Sequence, residues 1–179
     1  MDLHQFQMLY VAAEDRVLLR CSFYAEDRTL HETLAWLTRR MVSRLWPTIV
    51  KSLQKQVALD RPAAAGASLE MVSMAHQASV AELMAAGKFG APYDCTADGL
   101  PQGMAPLLVI RADFNVARNE PLRIAFVAAE GRAIEIAFQT DLLHAFCRLL
   151  QNAVRAAEWD IELQIPGETA APDDARLLN

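Results

Sequence analysis

The chain has 179 residues, of which 53% are apolar and 22% charged, and its formal net charge is -5 at pH 7. This length and composition are typical of a soluble globular protein that buries enough apolar surface to fold without a metal or a disulfide framework. The net negative charge disfavours general nucleic-acid binding, and no apolar run is long enough for a membrane helix. The N-terminal residues also do not have the basic start and apolar centre of a signal peptide.

The first third of the chain predicts three strands followed by a helix. Residues 5–11 and 16–24 alternate apolar and polar side chains, which is typical of half-buried strands, and the polar turn between them indicates a hairpin. A third strand is expected to end near Leu37. Thr38 is then expected to cap an amphipathic helix over 38–57. Its apolar arc consists of Val42, Leu45, Trp46, Ile49, Val50, Leu53 and Val57.

The middle of the chain predicts one helix between two irregular segments. Residues 61–68 are expected to form a linker, after which Ser68 caps a helix over 69–86. The segment 87–106 contains four glycines and three prolines. We therefore expect it to be a long mobile loop.

The last third predicts the same order of elements as the first. Three alternating stretches, at 107–116, 121–128 and 132–139, indicate strands. Thr140 is expected to cap a second amphipathic helix over 140–158. Its apolar arc includes Leu142, Leu143, Phe146, Leu149, Leu150, Ala153, Val154 and Ala157. The pattern at 161–165 suggests a final short strand, and residues 166–179 are expected to be a disordered tail.

These elements predict an α+β fold, with one or two antiparallel sheets of about six or seven strands and the two long helices packed across them. We expect a single domain at 1–165. Its possible halves, 1–60 and 106–160, indicate either an internal duplication or a chance recurrence of a common pattern. Repeated strands-then-helix halves resemble, at the level of fold, the PUR and Whirly families of single-strand nucleic-acid binders. Those families have four strands before each helix, whereas this sequence has three.

The cysteines and histidines do not form a familiar catalytic or metal-binding pattern. The three cysteines, Cys21, Cys95 and Cys147, are widely spaced, which predicts reduced thiols in a cytoplasmic protein. No two histidines lie three or four residues apart, so no single helix can offer a histidine pair to a metal. We interpret His144 as solvent-facing and Cys147 as a thiol at the edge of the core, not as a base and its nucleophile. We therefore expect no metal or other cofactor.

The most distinctive feature is a row of four cations on the first long helix. Arg40, Arg44, Lys51 and Lys55 fall on one side of a helical wheel, opposite the apolar arc, and no acidic residue lies between Glu32 and Asp60. Like charges four residues apart repel one another. The row is therefore either a solvated face, with or without acids of another segment or subunit opposite it, or a surface that binds an anionic partner.

The sequence favours a non-catalytic cytoplasmic binding or assembly protein that forms a homodimer and has a protein partner, with no membrane association. This hypothesis follows from the missing catalytic motifs and the extensive apolar helix surface. The alternative is a single-stranded nucleic-acid-binding protein that uses the basic row together with aromatic side chains on a sheet face. An enzyme that uses the segment 87–106 as a lid has the least support.

Overall fold

The computed structural model describes residues 2–87, 93 and 105–166. It confirms the α+β class, with one six-stranded sheet and three α-helices in the described part of the chain. The strands are β1 (Asp2–Val11), β2 (Arg16–Tyr24), β3 (Leu30–Thr38), β4 (Leu107–Asn115), β5 (Leu122–Ala128) and β6 (Ala133–Phe138). The helices are α1 (Arg39–Asp60), α2 (Ser68–Ala85) and α3 (Thr140–Ala156). The predictions of a mobile loop and of a disordered tail fall mainly on residues outside those ranges.

The six strands lie side by side in chain order, from β1 at one edge to β6 at the other. Neighbouring strands are antiparallel except at the centre, where β3 and β4 run parallel and pair Ala35 with Leu107 and Trp36 with Leu108. Each half of the chain therefore forms a three-stranded antiparallel meander followed by a helix. The parallel pair is possible because α1 and α2 return the chain to the start of β4.

One face of the sheet carries the core. On β2, Val17, Leu19 and Cys21 point to this face and are fully buried. α1 contacts β3 and β4, while α3 contacts β1 and β6, so both long helices cover the same face. α2 forms an outer layer against α1 and α3. This arrangement leaves the opposite face of the sheet without a helix packed on it among the described residues.

The predicted apolar arcs of the two long helices point into this core. Four residues of these arcs, Trp46, Leu53, Phe146 and Leu150, are at most 5% exposed. Phe146 contacts aromatic rings from three strands, and its ring centroid lies 5.1 Å from that of Phe138. The periodicity argument for these helices is therefore confirmed.

Several local predictions are confirmed and others are wrong. The hydroxyl of Thr38 accepts a hydrogen bond from the Met41 amide, as a capping residue should. Thr140, however, is the first residue of α3, and Gln139 occupies the capping position without a side-chain bond. Ser68 likewise begins α2 instead of capping it. The predicted linker 61–68 contains a short 3-10 helix, Pro62–Ala67, whose proline fits a helix start.

The prediction of a strand at 161–165 is also wrong. This segment runs along the helical layer, where its carbonyl groups bind side chains of the helices. The Leu163 carbonyl accepts from Gln151 at 2.8 Å, and the Gln164 carbonyl accepts from the Trp46 indole at 3.0 Å. The side chains of Leu163 and Ile165 are buried, which explains the alternating pattern without a strand partner.

Candidate partner-binding surfaces

α1 presents its four predicted cations to solvent in one row, which we call the basic stripe: Arg40, Arg44, Lys51 and Lys55. The opposite side of α1 is anchored by Val42, Leu45 and Ile49, each at most 1% exposed, which fixes the rotation of the helix. At a rise of about 1.5 Å per residue, the stripe is about 22 Å long. The members of each pair, Arg40 with Arg44 and Lys51 with Lys55, are about 6 Å apart along the axis.

The cations of the basic stripe do not form an ion pair with any carboxylate among residues 2–87, 93 and 105–166. Asp60, the next acid along the chain, is engaged elsewhere, since it accepts hydrogen bonds from the Asn119 amide at 2.6 Å and from Gln56 at 2.8 Å. The Asn119 bond is the main reason that the pKa of Asp60 is lowered. Arg39 lies apart from the stripe and donates to the Asp160 carbonyl at 3.3 Å. Whether the stripe binds a partner stays a prediction.

The open face of the sheet, opposite α1, is a second surface, and the sequence analysis did not single it out. The strand register places Leu9, Leu18, Trp36 and Leu108 side by side across β1 to β4. We call these four residues the apolar row. Leu9 and Leu108 are 41% and 39% exposed, whereas the two residues between them are half-buried. Only the pairing of distant strands brings the row together.

The arginines of the open face are all paired with carboxylates. Each of the four has a nitrogen within 3.4 Å of an acidic oxygen. The pairs are Arg16–Glu14, Arg20–Glu32, Arg111–Asp113 and Arg123–Glu135. The open face therefore has balanced charge, in contrast to the basic stripe.

The carboxylate of one of these pairs is buried. Glu32 lies beside Arg20 on the neighbouring strand at 2.7 Å, and its side chain is only 5% exposed. The guanidinium of Arg20 is 4.2 Å from the ring centroid of Tyr93, in a cation–π geometry. Burial raises the pKa of the Tyr93 phenol well above its usual range. The outward positions of Arg20 and Glu32 were visible in the strand alternation, but their contact depended on the register.

The interpretation of His144 as solvent-facing is wrong. His144 on α3 and His76 on α2 are both 1% exposed, and their Nδ1 atoms are 3.2 Å apart. Burial, and secondly the neighbouring His76, lower the pKa of His144 to about 4, while Asp141 acts in the opposite direction. A search for histidines three or four residues apart in the sequence could not find this pair, because its members come from two different helices.

The thiols and the histidine pair offer little for catalysis or metal binding. Cys147 is fully buried, as is Cys21, whose pKa is raised by burial, so neither thiol is accessible to a substrate. Cys95 lies outside the described residues. Among the residues that the structure describes, no three histidine, cysteine or acidic side chains are placed to hold a metal ion.

A surface cavity of about 580 Å³ lies between α3 and the segment that follows it. Its lining includes Arg148 and Arg155 together with Glu158, Asp160 and Glu162, so both signs of charge are present. This mixture does not select a class of ligand.

No helix in the described part of the chain has the length and apolarity required to cross a membrane.

Comparison with known proteins does not assign this chain to a family. No protein-family model, curated protein or solved structure matches it.

Proposed function

We propose that this protein is a non-catalytic binding or assembly protein whose basic stripe takes up an acidic segment of a protein partner. The observation that carries the proposal is the set of four exposed cations, Arg40, Arg44, Lys51 and Lys55, without an ion pair among the described residues. Leaving like charges in one row costs a few tenths of a kcal/mol per pair. An acidic partner would remove that repulsion and replace it with attraction.

The spacing of the stripe supports an acidic peptide segment as the partner. Glutamates four residues apart on a helix repeat every ~6 Å, and acids at alternate positions of an extended segment repeat every ~6.6 Å. Either arrangement matches the separation within the pairs Arg40–Arg44 and Lys51–Lys55. Individual exposed ion pairs contribute only about 0.2–1 kcal/mol, so the contact would be modest in affinity and sensitive to salt.

The nucleic-acid alternative is less well supported. It requires the basic stripe to act with exposed aromatic rings, but Trp36 and Tyr24 lie on the open face, on the far side of the sheet from α1. Trp46, the aromatic residue of α1 itself, is 5% exposed and donates to a backbone carbonyl. A single strand that follows the stripe would therefore have no ring of α1 on which to stack its bases.

The test measures binding by fluorescence anisotropy at low and at physiological salt. One probe is a labelled peptide in which glutamate alternates with alanine, and the other is a labelled oligothymidine. We expect the peptide to bind the wild type, and the double variant Arg44→Glu, Lys51→Glu to bind it at least about tenfold more weakly. The fold should remain intact and be equally or slightly more stable, because each new glutamate lies four residues from Arg40 or Lys55.

The matched control is Arg28→Glu with Arg155→Glu, which changes the net charge equally at exposed positions outside the stripe. It should retain peptide binding within about twofold. Tighter binding of the oligonucleotide than of the peptide would favour the nucleic-acid alternative instead. No binding of either probe, or equal losses in both double variants, would mean that the stripe is only a solvated face.

A further inference from the structure

The segment that follows α3 runs along the side of α1, the helix that carries the basic stripe. The Asp160 carbonyl accepts a hydrogen bond from Arg39, the first residue of α1. The Gln164 carbonyl accepts one at 3.0 Å from Trp46, about two turns further along the helix. The segment therefore advances in the same direction as α1. The next residue, Ile165, is 1% exposed, so the chain is anchored in the core beside α1 shortly before the described part ends.

The residues that come next carry charge opposite to that of the stripe. Residues 167–179, which lie outside the described residues and which we call the acidic tail, contain the three acids Glu168, Asp173 and Asp174 and one cation, Arg176. The side chains of the tail thus have a net negative charge. The stripe has four cations without an ion pair among the described residues. The two sets of charges are complementary and belong to neighbouring parts of the molecule.

The acidic tail is long enough to reach every cation of the stripe. An extended chain advances about 3.3 Å per residue, so Asp173, eight residues after Ile165, can lie up to ~26 Å from it. The stripe is about 22 Å long, and Trp46 lies close to its middle along the helix axis. Glu168 and Asp173 can be up to about 17 Å apart, which matches the distance of about 17 Å between the centres of the two cation pairs. The tail can therefore contact both pairs at once.

The surface between the anchored segment and the stripe does not oppose such a contact. On a helical wheel, Ser43 and Pro47 lie between Trp46 and the nearest cations of the stripe, and both are exposed and uncharged. No acidic residue lies between Glu32 and Asp60, so α1 itself has no carboxylate that would repel the tail or compete with it.

We propose that the acidic tail binds the basic stripe of its own chain and competes there with the acidic segment of a partner. The competition rests on the proposed function, whereas the contact between tail and stripe does not. A segment tethered by a few residues acts at an effective concentration in the millimolar range, which offsets the weakness of exposed ion pairs. The tail would therefore exclude acidic segments that bind the stripe more weakly than it does itself.

The first experiment detects the contact directly in the full chain. A water-soluble carbodiimide joins a lysine amine to a carboxylate only where the two are in contact, and mass spectrometry of the digested monomer identifies the joined residues. At low salt, we expect Lys51 and Lys55 to be coupled to acids of the tail. The coupling should be lost at about 1 M salt, where the screening length is only about 3 Å.

A charge-reversal variant separates attraction from simple proximity. Arg40→Glu with Arg44→Glu keeps both lysines of the stripe, and should reduce their coupling to the tail at least about threefold because half of the attracting charge is reversed. The matched control, Arg28→Glu with Arg155→Glu, changes the net charge equally at exposed positions outside the stripe and should retain the wild-type yield.

The second experiment measures the competition, with the labelled glutamate–alanine peptide as the probe. The tail variant replaces all three acids by amides: Glu168→Gln, Asp173→Asn and Asp174→Asn. At low salt it should bind the peptide at least about threefold more tightly than the wild type, because it has lost a competitor at millimolar effective concentration. The matched control makes the same change in charge at three exposed acids outside the tail: Glu26→Gln, Glu82→Gln and Glu120→Gln. Its affinity should stay within about 1.5-fold of the wild type.

The two experiments distinguish failure of this proposal from failure of the proposed function. The proposal is overturned if the stripe lysines do not couple to the tail, if they couple only between two chains, or if they couple to Asp94 or Asp98 instead. An unchanged peptide affinity in the tail variant would also contradict it. Coupling within the chain, together with no peptide binding by the wild type or the tail variant, would confirm the contact and contradict the proposed function. Peptide binding without coupling would have the opposite meaning.

Discussion

Glu32 and Glu135 both project from the open face of the sheet, yet their surroundings differ greatly. The side chain of Glu32 is 5% exposed, and that of Glu135 is 59% exposed. Both carboxylates have an arginine partner, but Glu32 lies on the central strand β3 with the ring of Tyr93 placed over the guanidinium of its partner, whereas Glu135 lies on the edge strand β6. A carboxylate in such a position is tolerated because a cation and hydrogen bonds replace its water.

His144 shows the same dependence on surroundings and leads to a prediction about pH. Its folded-state pKa of about 4 lies below the value of about 6.5 expected in the unfolded chain. Between these values the unfolded chain binds a proton that the folded protein does not. The contribution of His144 to stability is therefore complete above pH ~6.5 and is lost as the pH falls towards ~4, by up to about 3 kcal/mol.

Chemical denaturation at several pH values between about 4 and about 6.5 checks this prediction. The variant His144→Gln should have a shallower pH dependence of unfolding than the wild type. The exposed His31 provides the control, since His31→Gln should retain the wild-type slope. An unchanged slope in His144→Gln would show that this residue is not held neutral by the fold.

At the scale of single elements, α1 and α3 begin differently although both follow a strand and carry a threonine near the start. The Thr38 hydroxyl accepts from the Met41 amide at 3.1 Å, whereas Thr140 lies inside the first turn of α3. A capping bond satisfies an amide that has no partner within the helix. The stabilising role of the two threonines should therefore differ.

We expect Thr38→Ala to lower the free energy of unfolding by about 1 kcal/mol, because the Met41 amide loses its acceptor. Thr140→Ala, the matched substitution, should change it by less than about 0.5 kcal/mol. Urea denaturation of the two variants in parallel is sufficient. Equal losses in both would contradict the difference between the two helix starts.

At the scale of the whole molecule, Phe146 connects the two halves of the chain. Its ring centroid lies 6.0 Å from that of Phe6 on β1, and 5.9 and 5.1 Å from those of Phe126 on β5 and Phe138 on β6. The helix of the second half thus packs against the first strand of the first half. A side chain in this position couples the unfolding of both halves.

Phe146→Ala should lower the free energy of unfolding by roughly 3–5 kcal/mol, because it leaves a cavity where both halves meet. The wild type should unfold in one transition that is the same by far-ultraviolet circular dichroism and by the fluorescence of its three tryptophans, Trp36, Trp46 and Trp159. Met74→Ala, at a residue that is 70% exposed, should change the stability by no more than about 0.5 kcal/mol. Two separate transitions, or an unchanged midpoint in Phe146→Ala, would contradict this coupling.

The features that the sequence determined by itself are those that depend on neighbours along the chain. A period of two predicted the strands of the sheet, and a period near 3.6 predicted the two long helices and the burial of Trp46, Leu53, Phe146 and Leu150. The same periodicity placed the four cations of the basic stripe on the exposed side of α1. These arguments succeed because the direction of a side chain follows from the local backbone geometry.

Only the tertiary structure decided which distant residues meet. The parallel pairing of β3 with β4 brings Trp36 next to Leu108, and so completes an apolar row that no single strand contains. The packing of α2 on α3 brings His76 to His144, and the helical layer holds 161–165 in place of a strand partner. Such contacts depend on strand order, register and helix packing. The free energy of the whole molecule determines these features, and they leave no periodic signal in the sequence.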